Sequence, residues 1–148
     1  MSLFSVFDIS SAGMSVEQTK LAVAAANLAN SRTTQTADGS PYQPMTAVLR
    51  STPYHRSDFA SIEQAVDAAA LPRPAVVDIV PTNAAPRLVY DPGHPDADAK
   101  GFVAYPAVDG LSTMMDLMTI SRSYEANLRA FDITRSLIQR TIDMGRGR

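Results

Sequence analysis

All ten prolines of this chain lie between Pro41 and Pro106, and none falls in residues 1–40 or 107–148. Proline costs about 3 kcal/mol in a helix interior. The distribution therefore divides the chain into two helix-permissive arms and a helix-hostile middle. At 148 residues this fits one ordinary domain with extended arms.

The C-terminal arm carries the clearer pattern. Leu111, Met114, Leu117, Ile120, Tyr124, Leu128, Phe131, Arg135, Ile138 and Ile142 follow one another at intervals of three or four, and only Arg135 is not apolar. That period predicts one long amphipathic helix, opening at Asp109-Gly110 and ended by Gly145 and Gly147, of roughly 34 residues and about 50 Å. Arg122 with Glu125, Glu125 with Arg129, and Asp132 with Arg135 stand at supporting spacings. Met115, Met118, Ile133 and Leu137 add apolar surface off the main stripe, so the helix is expected to meet more than one neighbour.

In the N-terminal arm Phe7, Met14, Leu21, Ala25 and Leu28 fall on a heptad-like line, interrupted by Ser11 and Gln18, with Phe4, Ile9 and Val23 outside it. Ala22, Ala24, Ala25 and Ala26 favour helix and close approach, whereas Gly13 weakens the first turns. The expected helix spans residues 4 to 30. Its stop is Asn30, a residue type able to take the left-handed cap conformation. Between the arms, β-like runs occupy 42–50, 75–80, 87–90 and 102–105, separated by Pro/Asp/Gly turns of which 91–101 is the longest. Residues 51–74 read as loop, with a helical turn at Ile62–Ala70. The expected fold class is α+β, mainly α. Its core domain is formed by residues 1–34 and 107–148, its small β-rich region by 35–106. The apolar side chains of the arms are few for so much ordered backbone, so the arms are expected to fold against other chains.

Chemistry is sparse. With no cysteine there is neither a disulfide framework nor a thiolate. A net charge of −2 gives no electrostatic case for nucleic acid. The N-terminus has no basic region followed by an unbroken apolar run, and no stretch approaches a membrane span. A chain of this kind stays in the cytoplasm or leaves by a route that cuts nothing off. His94 lies among Asp91, Asp96 and Asp98, and Asp96-x-Asp98-x-Lys100-Gly101 resembles the start of a calcium loop. Yet Lys100 takes a ligand position and Ala107 stands where the bidentate Glu belongs. A turn with capping carboxylates is the better reading. His55 reads as loop surface. Phosphate loops, nucleophile elbows and HExxH zinc motifs are missing, so no cofactor and no enzymatic activity are expected. From the residues alone, a freestanding helical adaptor or small enzyme stays open as the alternative to an assembly subunit.

One resemblance narrows the choice. Ala26-Asn27-Leu28-Ala29-Asn30 at the end of an N-terminal helix resembles the motif of the axial proteins of the bacterial flagellum, the rod, hook and hook-associated subunits. Asp38-Gly39-Ser40-Pro41-Tyr42 is similar to the proximal-rod subunits in particular. So are Asp91-Pro92-Gly93-His94-Pro95-Asp96-Ala97-Asp98 with Gly101-Phe102-Val103 and Tyr105-Pro106, and Ser121-Arg122-Ser123-Tyr124-Glu125-Ala126-Asn127. The matches touch both arms and the middle, in order.

The resemblance implies terminal helices paired as a coiled coil around a central export channel, with the β region outside. It also implies export through the flagellar type III gate without signal cleavage, assembly in the periplasm, and torque transmission from motor to hook. Implied neighbours are further copies of the chain, FliE, and FlgB, FlgF and FlgG types. On this basis assembly contacts are expected at Phe7, Met14, Leu21, Asn27, Leu28 and Asn30. On the second helix they are expected at Met114, Leu117, Met118, Tyr124, Asn127, Leu128, Phe131, Ile138 and Ile142. Gly39, Pro41, Tyr42, Asp91, Pro92, His94, Pro95 and Asp96 form the family-motif turns. Asn27, a poor helix former one turn before the end, is expected to bond an adjacent helix.

Overall fold

The computed structural model describes residues 3–52 and 73–146. The helical turn expected at Ile62–Ala70 lies outside the described residues. In chain order the elements are α1 (Leu3–Ala29), β1 (Met45–Thr52), β2 (Arg73–Pro81), β3 (Arg87–Tyr90), β4 (Phe102–Tyr105) and α2 (Gly110–Arg146). The architecture is α+β and mainly α, as the proline distribution implies.

The helices form an antiparallel pair. Phe7 meets Phe131 edge-on with ring centroids 4.7 Å apart. Gln18 Nε2 donates to the Tyr124 hydroxyl at 3.5 Å, and Leu28 lies beside Gly110. On α1 the buried positions Ser10, Gly13 and Val16 fall at three-residue spacing. Gly13 packs directly on Asn127 of α2: a Cβ there would stand 2.9 Å from Asn127 Nδ2 and 3.1 Å from its Cγ. The glycine that weakens α1 by propensity thus admits the partner's amide. On α2, Thr134 is buried and its hydroxyl donates to Ala130 O at 2.8 Å.

At 37 residues against 27, α2 is the longer helix, about 55 Å from end to end at 1.5 Å per residue. Because Leu28 already reaches Gly110, the excess lies at the C-terminal end, beyond the described start of α1. Gly145 does not end α2, which runs one residue past it. Of the three expected ion pairs on its surface only Glu125–Arg129 approaches, at 3.8 Å with both side chains exposed, and such a pair contributes little.

Two antiparallel pairs make up the middle. β1 and β2 run from Met45↔Pro81 to Thr52↔Arg73 and pack on α1. The register slips between Val48 and Leu49, leaving Val77 as the bulged residue. β2 extends past the expected 75–80 to include Pro74 and Pro81. In a two-stranded sheet every strand is an edge, so a missing N–H can face outward at no cost to the ladder. β1 starts at Met45 rather than 42 because Tyr42 is engaged with the exit of α1. Tyr42 N–H donates to Thr33 O at 3.2 Å, and Pro44 O accepts from Thr82 N at 2.8 Å. β3 and β4 pair from Arg87↔Tyr105 to Tyr90↔Phe102, and Val103 at their centre is fully buried.

Candidate assembly interface

α1 ends at Ala29 through side chains rather than a left-handed cap. Asn30 donates to Ala26 O from both its backbone N (3.0 Å) and its Nδ2 (2.9 Å), and Ser31 Oγ donates to Leu28 O at 2.7 Å. Among the described residues the non-glycine in the positive-φ region is Asn83, at 50°. The cap expected at Asn30 is therefore corrected. Side-chain donors thus reach the carbonyls of Ala26 and Leu28 in the last turn without a backbone reversal.

Asn27 forms the joint between helix and sheet. Its Nδ2 donates to Met45 O at 2.8 Å, and its Oδ1 accepts from Met45 N at 2.9 Å and from the Tyr42 hydroxyl at 3.0 Å. The carboxamide thus pairs with Met45 as a neighbouring strand would, and it does so where β1 begins. The expectation that Asn27 bonds an adjacent helix is corrected: its partners lie on β1 and the turn before it. A short polar side chain, unfavourable for the helix, is retained because an amide alone supplies donor and acceptor together in this geometry.

The two family-motif turns also meet. Gly39, at φ 75°, sits in a turn in which Gly39 N donates to Thr36 O and Thr36 N to Ser40 O. In the β3–β4 connection Asp98 Oδ1 accepts from Lys100 N and Phe102 N at 2.8 and 2.9 Å. Asp91 N donates to Gly101 O at 2.9 Å. Gly101, at φ 78°, leaves no room for a Cβ, which would lie 2.9 Å from the Tyr90 ring and 3.2 Å from Pro92. His94 Nδ1 accepts from Asp96 N at 3.1 Å, and its ring lies edge-on to Tyr105. Thr34 Oγ1 then donates to Asp96 Oδ2 at 2.7 Å. This ties the exit of α1 to the β3–β4 connection across an open groove lined by Gly39, Pro41, Pro95 and Asp96. The Asp98 carboxylate caps backbone N–H groups, whereas that of Asp96 accepts from Thr34. Among the described residues no group of three or more His, Asp or Glu could hold a metal ion.

Burial divides the expected contact residues into two sets. Phe7, Met14, Leu28, Leu117, Tyr124, Asn127, Phe131 and Ile138 are half-buried, and the contacts already described place Phe7, Leu28, Tyr124, Asn127 and Phe131 at the intrachain helix pair. Leu21, Met114, Met118, Leu128 and Ile142 are exposed. Also exposed, and not among the expected contacts, are Leu111, Met115, Ile133, Leu137 and Met144. Met115, Ile133 and Leu137 show in the sequence as apolar surface beside the main stripe, and Leu111 as the first residue of that stripe. With Met118 they follow one flank of α2, interrupted by Arg122, Ala126 and Arg129. Leu111 and Met144 are 71% and 74% exposed, far more than a finished core leaves.

Among the described residues no helix is long and apolar enough to cross a membrane. Residues 99–144, which take in β4 and nearly all of α2, match the family model described as Flagellar basal body rod FlgEFG protein C-terminal. This, with the helix pair, defines the class: the rod proteins of the bacterial flagellar basal body. Three relatives, each a flagellar basal-body rod protein FlgC, align over almost their whole length. The protein of Escherichia coli O6:H1 is 34% identical over 145 residues, covering 98% of this chain and 99% of its own. That of Salmonella typhimurium is 34% identical over 148 residues with the same coverage. That of Bacillus subtilis is 30% identical over 150 residues, with 99% and 100% covered. The chain belongs to the flagellar basal-body rod protein FlgC family.

Proposed function

We propose that this chain is a structural subunit of the proximal rod, assembled in the periplasm after passage through the flagellar type III export gate without cleavage. Residues 1–34 and 107–148 form its core domain, paired as a coiled coil that helps enclose the export channel, and 35–106 form its outer region. Its neighbours are further copies and chains of the FliE, FlgB, FlgF and FlgG types. Its mechanism is mechanical: apolar flanks buried against several neighbours spread torsional load over many contacts as torque passes from motor to hook.

The observation that carries this reading is the outer flank of α2, where Met115, Met118, Ile133, Leu137 and Met144 stand exposed in the single chain. A surface of this kind calls for covering. Helices left unfinished until docking also suit a chain that must pass a narrow channel before folding completely. In dilute solution the helix ends should exchange and be cleaved first, the middle later.

Mass spectrometry of hook–basal bodies purified from the source cell tests the proposal. Stoichiometric presence of the chain with an intact N-terminus supports it. Absence from intact basal bodies, or a discrete folded oligomer with no dependence on flagellar parts, overturns it.

A further inference from the structure

Between the exit of α1, the start of α2 and the β3–β4 pair, the chain forms an open cleft of about 530 Å³ lined by Leu28, Arg32, Arg87, Val89, Tyr105 and Val108, with Asp109 and Gly110 at its edge. Four segments converge there: the exit of α1, the start of β3, the end of β4 and the N-terminus of α2. Arg87 is paired with Tyr105 across the β3–β4 ladder, so the strand pair sets its position. Arg32 and Arg87 are both exposed, and among the described residues no carboxylate lies within ion-pair distance of either. The one acidic side chain of the lining, Asp109, is committed to α2: its Oδ1 accepts from Leu111 N at 3.0 Å. The Asp109 carboxylate offsets the positive end of α2, and the two guanidinium groups remain in excess in the lining. Leu28, Val89 and Val108 supply an apolar floor.

We propose that this cleft is a docking site for a carboxylate-bearing segment of an adjacent subunit, an Asp or Glu flanked by apolar residues. Its carboxylate is held between Arg32 and Arg87 while its apolar neighbours cover the floor. Charge complementarity selects the occupant. Two arginines against one aspartate disfavour cationic segments and offer bidentate donors to a carboxylate. The apolar floor gives a protein segment an advantage over a small free anion, which would leave that surface wet. The site lies beside the β3–β4 pair at the start of α2, whereas the outer flank runs along α2 to Met144, so a subunit carries two contact surfaces. The inference rests on the rod reading.

The test uses the full chain expressed in the source cell. A photo-crosslinking residue replacing Val89 is activated in assembled basal bodies, and the attached peptide is sequenced. The expected result is a segment of a rod chain, or of another copy, with an Asp or Glu within a few residues of the crosslink. Arg32→Glu with Arg87→Glu should then lower basal-body recovery and swimming by about tenfold or more. Arg32→Lys with Arg87→Lys should retain much of both, and reversing the identified acidic residue should rescue the Glu pair. Far-UV circular dichroism of the purified Glu variant checks that it folds. A crosslinked segment without an acidic residue overturns the proposal, as does normal assembly of the doubly reversed chain. Inorganic phosphate titrated into the purified chain is the remaining arm. Phosphate-dependent shifts at Gly110, combined with normal assembly of the Glu variant, would assign the cleft to a free anion and overturn docking. Failure of the wild-type chain to appear in basal bodies would instead count against the rod reading.

Discussion

Replacing Asn27 by leucine should open the joint between α1 and β1 without melting the rest of the chain. The substitution removes three hydrogen bonds of 2.8, 2.9 and 3.0 Å, two to the Met45 backbone and one to Tyr42. At about 0.5–1.5 kcal/mol net for each, the loss is roughly 2–4 kcal/mol. Leucine's better helix propensity returns only about 0.5 kcal/mol. A net cost of about 2–3 kcal/mol corresponds to roughly 30- to 150-fold in the opening equilibrium. Amide hydrogen exchange at Met45 reads this directly, since its N–H donates to Asn27 Oδ1. The Gly101 amide, which donates to Asp98 O in a separate turn, is the internal control. Asn27→Asp should fall between the two: it keeps the acceptor for Met45 N–H and Tyr42 but turns a carboxylate oxygen toward Met45 O. If Met45 exchange in the leucine variant stays within about threefold of the wild-type rate, the joint carries no appreciable energy. Equal acceleration at Gly101 would show that the effect is not local. Either result refutes the reasoning.

Four further outcomes are expected. Gly13→Ala should destabilise the helix pair despite alanine's advantage of about 1 kcal/mol, because its Cβ would crowd Asn127 at 2.9 Å. In an Asn127→Ala background the same change should stabilise, and urea unfolding that gives one sign in both backgrounds would contradict the packing. Gly101→Ala meets both a φ of 78° and the Tyr90 ring and should cost on the order of 2 kcal/mol, seen as faster exchange of the Asp91 amide that bonds Gly101 O. Val103→Ala, at the one fully buried large side chain among the described residues, should cost about 2 kcal/mol, measured as a lowered urea midpoint. Met115→Glu with Met118→Glu, both at exposed positions, should leave the circular dichroism of the purified chain unchanged while lowering basal-body recovery by about tenfold; normal recovery would exclude this flank from assembly.

The architecture was legible because its strongest signal is exclusion: where proline is missing the chain is helical, and where it clusters the backbone extends. Element bounds shifted where local chemistry outweighed pattern. Pro74 and Pro81 entered β2 because an edge strand tolerates a missing donor, and β1 starts three residues late because Tyr42 bonds back to Thr33. The partner of Asn27 was not legible. A carboxamide suits a helix neighbour and a strand edge equally well, and only the path of the turn after Asn30 brings Met45 to it. Periodicity marked Phe7, Tyr124 and Phe131 as interfacial, but it could not tell an interface within the chain from one between chains. That distinction rests on register, which the close approach at Gly13 and Asn127 fixes and apolar spacing does not.

The two helices therefore have different duties, although their apolar lines look alike. α1 packs against α2 on one side and against β1 and β2 on another, so much of its apolar surface is spent inside the chain. α2 packs against α1 alone among the described elements, and its outer flank and overhanging last turns keep their large side chains exposed. Substitutions along the buried line of α1 should consequently act through the fold of the single subunit and appear as lowered stability before any assembly step. Substitutions on the outer flank of α2 should leave the subunit intact and act only when subunits meet. The Asn27 joint and the Thr34–Asp96 bond tie the β region to the end of α1, the helix held within the fold, and leave α2's outer flank clear.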